Sequence, residues 1–146
     1  MRVVYITNDF LDECGGTARH VEELSRRVAA SSDVTVLYLS LKGRSGEFID
    51  DQGRQIICLP CPGSLASRLW RFPQRRVQEI IAALQPEIVH LHSPLEAALL
   101  KRPHGPAFLY TLHSSVYARL SRYAWWRELV LRGLWKKFDC VIAPSA

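Results

Sequence analysis

Short uninterrupted apolar runs recur along this chain, each followed by an amphipathic stretch, and that alternation constrains the fold more than any single motif. VVYIT (3–7) has no polar face, as a strand covered on both sides of a sheet requires. Val21, Leu24 and Val28 then share one helical face, with Glu22, Glu23, Arg26 and Arg27 opposite. VTVLYLS (34–40) and QIICLP (55–60) are further strands, separated by a Gly- and Asp-rich stretch, 42–53, that suits a loop or an irregular hairpin. A helix carrying Val77, Ile80, Ile81 and Leu84 is closed by Pro86. EIVHLH (87–92) follows, then a helix from Pro94 through Leu100 and the strand FLYTLH (108–113). A helical stretch over about 123–137 and the strand CVIAPS (140–145) complete the series.

The expected fold is α/β: a doubly wound, Rossmann-like, mostly parallel sheet of about six or seven strands with helices on both faces. At 146 residues it is read as a single domain, 1–146. With 48% hydrophobic and 23% charged residues the chain has the make-up of a folded protein. No run approaches the ~18 apolar residues of a membrane span, and MRVVYIT lacks the features of a signal peptide, so a cytoplasmic location is expected. In such sheets ligands bind beyond the carboxyl ends of the strands, where strand order reverses. Asn8 and Asp9, His92 and Ser93, and His113 to Ser115 all follow strands in this way.

Between the first strand and the first helix stands CGGTAR, with Gly15 and Gly16 adjacent and Thr17 a candidate helix N-cap. Glycines before a helix let backbone N–H groups reach an anion or a sugar; they also serve a plain turn, and both readings stand. Neither G-x-G-x-x-G nor G-K-[ST] is present, so the dinucleotide fingerprint and the P-loop are excluded. His113 is either a polar loop residue or a neutral imidazole that hydrogen-bonds a substrate. His90 and His92 are assigned to opposite faces of their strand, His90 to the core and His92 to the site, which argues against a shared metal. Cys58 and Cys61 form C-x-x-C with prolines on both sides and no second pair, so loop and core thiols are expected rather than a redox or zinc site. Glu79 and Glu87 are read as surface residues. Arg and Lys interleave with Trp and Tyr in SRLWRFPQRR (67–76) and YARLSRYAWWRELVLRGLWKK (117–137), which suits an anionic membrane surface or simple packing. The net charge of +5 comes with no nucleic-acid-binding motif, so nucleic acid is not expected as a partner.

The double glycine, RHVEELSRRVAASSDVTVL, PEIVHLHSP, YTLHS and the closing FDCVIAPSA, in this order, resemble the N-terminal, acceptor-side domain of a GT-B glycosyltransferase, most similar to glycosyltransferase family 4. The resemblance implies a nucleotide-sugar donor, a glycan or lipid-linked acceptor, and a C-terminal domain, in the same or a separate chain, that binds most of the donor. It implies no cofactor and no metal. It places Gly15 and Gly16 near the donor diphosphate and gives the residue matching His113 polar contact with the transferred sugar. Thr17, His92 and Ser114 are the further candidate substrate-binding residues, and His113 the candidate catalytic residue. Two departures stand out. Ala18 precedes Arg19–His20 where the family often has glutamate, and the family's E-x7-E belongs to a second half beyond residue 146. Two functional expectations follow: the acceptor-binding half of a hexosyltransferase, inactive alone, or a non-catalytic membrane- or partner-docking subunit of a split enzyme. A peripheral position at the inner membrane face goes with the basic aromatic segments.

Overall fold

A computed structural model describes residues 1–8, 10, 15–61, 72–113 and 136–143. Its elements, in chain order, are β1 (Arg2–Thr7), α1 (Gly16–Ala29), β2 (Asp33–Ser40), β3 (Gly46–Ile49), β4 (Gln55–Pro60), α2 (Gln74–Leu84), β5 (Ile88–Leu91), α3 (Pro94–Leu99), β6 (Ala107–Thr111) and β7 (Cys140–Ile142). They form one seven-stranded sheet in the order β3-β4-β2-β1-β5-β6-β7. All neighbours pair in parallel except β3, which runs antiparallel to β4. The expected doubly wound sheet is therefore present, and the 42–53 stretch is a hairpin that adds the seventh strand.

The apolar runs are explained by two cores, one on each side of the sheet. Val3 and Tyr5 of β1 pack with Val34, Val36 and Tyr38 of β2 and with Val21 of α1. Val4 and Ile6, pointing the other way, pack with Leu37, Leu39, Val77, Ile80 and Ile81. Alternate residues of one strand thus feed opposite cores, and the polar residues these two strands bury are the small hydroxyls Thr7, Thr35 and Ser40. Cys58 lies in the α1-side core and Cys61 in the other, which separates the C-x-x-C pair across the sheet. Both are free thiols, as expected.

Two details set the element ends. Gln85 closes α2 in the left-handed region at φ 46, and Pro86 prevents the helix from continuing. Strand β5 is shorter than EIVHLH suggested: Glu87 turns outward, its carboxylate accepting from the Arg2 N–H at 2.7 Å, and His92 lies just past the last paired residue. Strand β6 likewise stops at Thr111, and β7 keeps only Cys140–Ile142 of CVIAPS. The helix expected over 123–137 lies outside the described residues save for its last two positions.

A buried arginine joins the β3–β4 hairpin to α1. In the hairpin turn, Asp50 Oδ1 accepts from the N–H groups of Gln52 and Arg54, each at 3.0 Å, and Gly53 takes φ 75. The turn drives Arg54 inward, where it is only 3% exposed. Its guanidinium donates to Asp50 Oδ2 (2.8 Å), Ser25 Oγ (2.7 Å) and Glu22 Oε1 (2.8 Å), and stands 5.7 Å from the centre of the Phe10 ring. The hairpin thereby holds both α1 and the segment that leaves β1.

Candidate functional site

From β1 the chain works outward to β2, β4 and β3, then returns to place β5 on the other side of β1. Strand order reverses between β1 and β5, so a crevice opens beyond their carboxyl ends. Its floor is stitched together by polar contacts. Ser93 Oγ donates to Asn8 Oδ1 at 2.8 Å and accepts from the Asn8 N–H at 3.0 Å, while the His92 N–H donates to the Ile6 carbonyl at 3.0 Å.

Helix α1 presents its N-terminus at this edge. Gly15, not Thr17, is the N-cap, at φ −79 and ψ 160, and its side of the helix carries no side-chain cap. Thr17 is the second helical residue, which corrects its expected capping role. The N–H groups of the first turn have no acceptor within the helix. Gly16 sits at an ordinary helical position, since its φ is not positive, and a Cβ built on it would meet nothing within 4 Å. Among the described residues, neither backbone strain nor packing therefore calls for glycine at 16. No described residue fills the space above it, as close approach of a ligand to the backbone would require.

Four imidazoles gather beside that turn. His90 is buried, and its Nε2 lies 2.8 Å from Thr111 Oγ1, which satisfies it as a core residue. His92 is 1% exposed, and both of its ring nitrogens are sealed from solvent without a hydrogen-bond partner. His113 is half-buried, with its Nε2 buried and unpartnered. His20, from the second turn of α1, is exposed on its helix but meets both His92 (ring centres 5.6 Å apart) and His113 (5.4 Å). The His90 and His92 rings are 4.2 Å apart, so the expectation of opposite faces is overturned. Side chains alternate along a strand, and residues two apart return to the same face. Both lie with Tyr5 on the α1 side, their rings 5.5 and 5.8 Å from its ring.

The electrostatics follow from burial. Desolvation, with smaller contributions from the neighbouring imidazoles, pushes the His92 pKa down to about 2 and that of His90 to about 4. His113 is lowered by burial and then by His20. These rings are neutral at pH 7, each able to donate from one nitrogen and accept at the other. Among the described residues no three His, Cys, Asp or Glu converge so as to hold a metal.

Of the expected site residues, the structure brings Gly15, Gly16, Thr17, His92 and His113 to one edge of the sheet. Ser114 lies outside the described residues, as do Asp9 and Ser115. Glu79 pairs with Arg75 at the surface, and Glu87 is likewise exposed. The residue that sequence reasoning missed is His20. Its signal was its place one turn beyond Gly16, on the same face of α1 as the buried Val21 and the half-buried Leu24 only in part, so helical periodicity alone left it on the rim.

The sequence matches Glycosyltransferase Family 4 over residues 14–146, from just before the paired glycines to the last residue. The chain belongs to glycosyltransferase family 4. No curated protein matches it in sequence. In shape, this family 4 chain is similar to sucrose-phosphate synthase from Thermosynechococcus elongatus, with a TM-score of 0.74 at 18% identity, over 99% of this chain and 42% of the synthase. A second solved chain of that synthase superposes with a TM-score of 0.68 at 17% identity, over 99% of this chain and 77% of its own length. The family 4 chain thus spans less than half of the longer synthase it matches. At these identities the likeness establishes the fold, the Rossmann-like sheet of GT-B glycosyltransferases.

Among the described residues no helix is long and apolar enough to cross a membrane. Residues 67–71 of the first basic aromatic segment and 117–135 of the second lie outside the described residues.

Proposed function

We propose that this chain is the acceptor-side half of a glycosyltransferase that moves a hexose from a nucleotide-sugar to a glycan or lipid-linked acceptor. A C-terminal domain, in the same or a separate chain, would face the crevice and hold most of the donor. The observation that carries the reading is the juxtaposition of the open Gly16 turn with the unpartnered imidazoles of His92 and His113.

In this reading the N–H groups at the start of α1, from Gly16 and Thr17, receive phosphate or sugar oxygens, and Gly15 and Gly16 keep side chains out of their way. The neutral His113 hydrogen-bonds a hydroxyl of the transferred sugar and stabilises charge that develops at the reacting carbon. His92, behind it, supplies a second buried imidazole nitrogen to the crevice wall, and Ser114 remains a substrate-binding candidate on its sequence position alone. Most donor contacts would come from the C-terminal domain, so these residues by themselves would turn over negligibly; the reading calls for no cofactor and no metal.

The test is a titration of the ¹⁵N-labelled chain with a panel of nucleotide-hexoses, followed by amide and imidazole NMR. Expected are weak, saturable shifts confined to residues around Gly15–Thr17, His92 and His113, together with no measurable sugar transfer. Shifts confined to other surfaces would refute the site, and turnover by the isolated chain near the ~10 s⁻¹ usual for enzymes would refute the half-site reading.

A further inference from the structure

Only two of the three imidazoles lining the crevice mouth come from strand ends that the sheet topology must bring there. The third, His20, arrives from α1. Its ring is edge-on to His113, with an interplanar angle of 77° and centres 5.4 Å apart, and tilted 54° against His92 at 5.6 Å. The His92 and His113 rings are 5.7 Å apart, so the three close a nearly equilateral triangle. His113 follows the last residue of β6 by two positions, and its buried Nε2 has no hydrogen bond to fix the ring. The ring contacts it makes among the described residues are with these other two imidazoles. Edge-to-face contacts of this kind carry a preferred geometry.

We infer that His20 is a positioning residue for His113: its edge-on ring holds the His113 imidazole in one orientation at the crevice, and ties that orientation to the Gly15–Gly16 turn. The contact stands on geometry alone; its catalytic consequence rests on the proposed role of His113 in contacting the sugar. Because α1 begins at Gly16, a ligand that settles on the first turn and a sugar that meets His113 would be registered to each other through four residues of rigid helix.

The surroundings also explain why this support suits a neutral ring. The titratable groups facing His113 are His20 from α1, His92 with His90 behind it from the β5 edge, and Tyr5 from β1 packed against the latter two. Among the described residues no carboxylate acts on His113; on α1 itself, Glu23 is engaged with Arg26 and Arg27. A carboxylate in the place of His20 would orient the ring equally well but would draw a proton onto it. An imidazole orients it and repels the second proton.

The experiment uses the chain with labelled histidines, comparing wild type with His20→Phe and His20→Ala. Phenylalanine keeps a ring at position 20 and removes its ionisable nitrogens; alanine removes both. In both variants the His113 titration midpoint should rise, because the electrostatic effect of His20 that lowers it is gone. Only His20→Ala should lose the ring-proton contacts between His113 and His92, as the His113 ring begins to average over rotamers. Retention of those contacts in His20→Ala, or a His113 midpoint unchanged in both variants, overturns the inference. Perturbation of His113 by nucleotide-hexose in the wild-type chain tests the sugar contact separately. Its absence would sink that role and leave the His20–His113 geometry standing.

Discussion

Replacing Arg54 by methionine keeps most of the side chain's length and apolar stem but deletes the guanidinium that joins the β3–β4 hairpin to α1. The loss can be apportioned from the surroundings. Glu22 is 44% exposed, so solvent screens its pair with Arg54 to about 0.5 kcal/mol. Asp50 is only 13% exposed and is left with its two backbone N–H donors alone, a loss of about 2 kcal/mol for a poorly solvated carboxylate. The Ser25 hydroxyl and the cation–π contact with Phe10 add about 1 kcal/mol. The sum, about 3.5 kcal/mol, sits toward the low end for breaking a buried ion pair and corresponds to a melting temperature about 10 °C lower for a chain of this size. The pH dependence gives a sharper check. Burial opposes the charge on Asp50, but hydrogen bonds from Arg54 outweigh it and hold the carboxyl below its ordinary value. In the native chain this stability is present above about pH 4 and is lost as pH falls through the depressed folded value. Without the guanidinium only the two backbone N–H groups offset burial, so the Asp50 pKa lies higher than in the wild type and acid weakens the variant less than the wild type. Urea unfolding followed by circular dichroism at pH 7 and pH 4 should therefore show a gap that narrows in acid. A gap under about 1 kcal/mol at pH 7, or one that widens at pH 4, would refute this account of the arginine.

Gly16→Ala should leave stability unchanged or raise it by about 0.5 kcal/mol, since the position is helical and its Cβ would be uncrowded, while weakening nucleotide-hexose binding several-fold. Parallel urea melts and ligand titrations check it; equal binding by wild type and variant would remove the case for close approach at that residue. His92→Leu replaces two unpartnered buried nitrogens by a hydrocarbon, and a gain of about 1 kcal/mol in urea unfolding is expected, with loss of the ligand-induced shifts at His113. Destabilisation of more than about 1 kcal/mol would show that the imidazole contributes to folding rather than to the site.

Much of the architecture was legible because burial on both faces of a parallel sheet leaves a plain mark. VVYIT and VTVLYLS are apolar but for small hydroxyl residues, and the helices between strands repeat at 3–4 residues, so the βα rhythm and the class of fold could be read directly and the strand ends picked out as the place to look for a site. The double glycine marked the crevice for the same local reason, since a residue's lack of a Cβ is a property of the chain. Strand ends were less legible: Glu87 and His92 look like members of EIVHLH until pairing with β1 and β6 decides where the ladder stops.

The arrangement of the imidazoles was legible only in part. That His90 and His92 share a face follows from the two-residue repeat of any strand, and the contrary expectation misapplied that repeat. That His20 and His113, 93 positions apart, meet over His92 follows from nothing local. It depends on α1 packing against the face that bears Tyr5, on β5 returning to the far side of β1, and on Arg54 reaching from the hairpin to Glu22 and Ser25. By itself, then, the sequence determined the periodicities, and with them the sheet, its two cores and the edge that carries the candidate site. Only the tertiary structure decided which histidines touch, which nitrogens are left without partners and which charge is buried, because those are set by contacts between residues far apart in the chain.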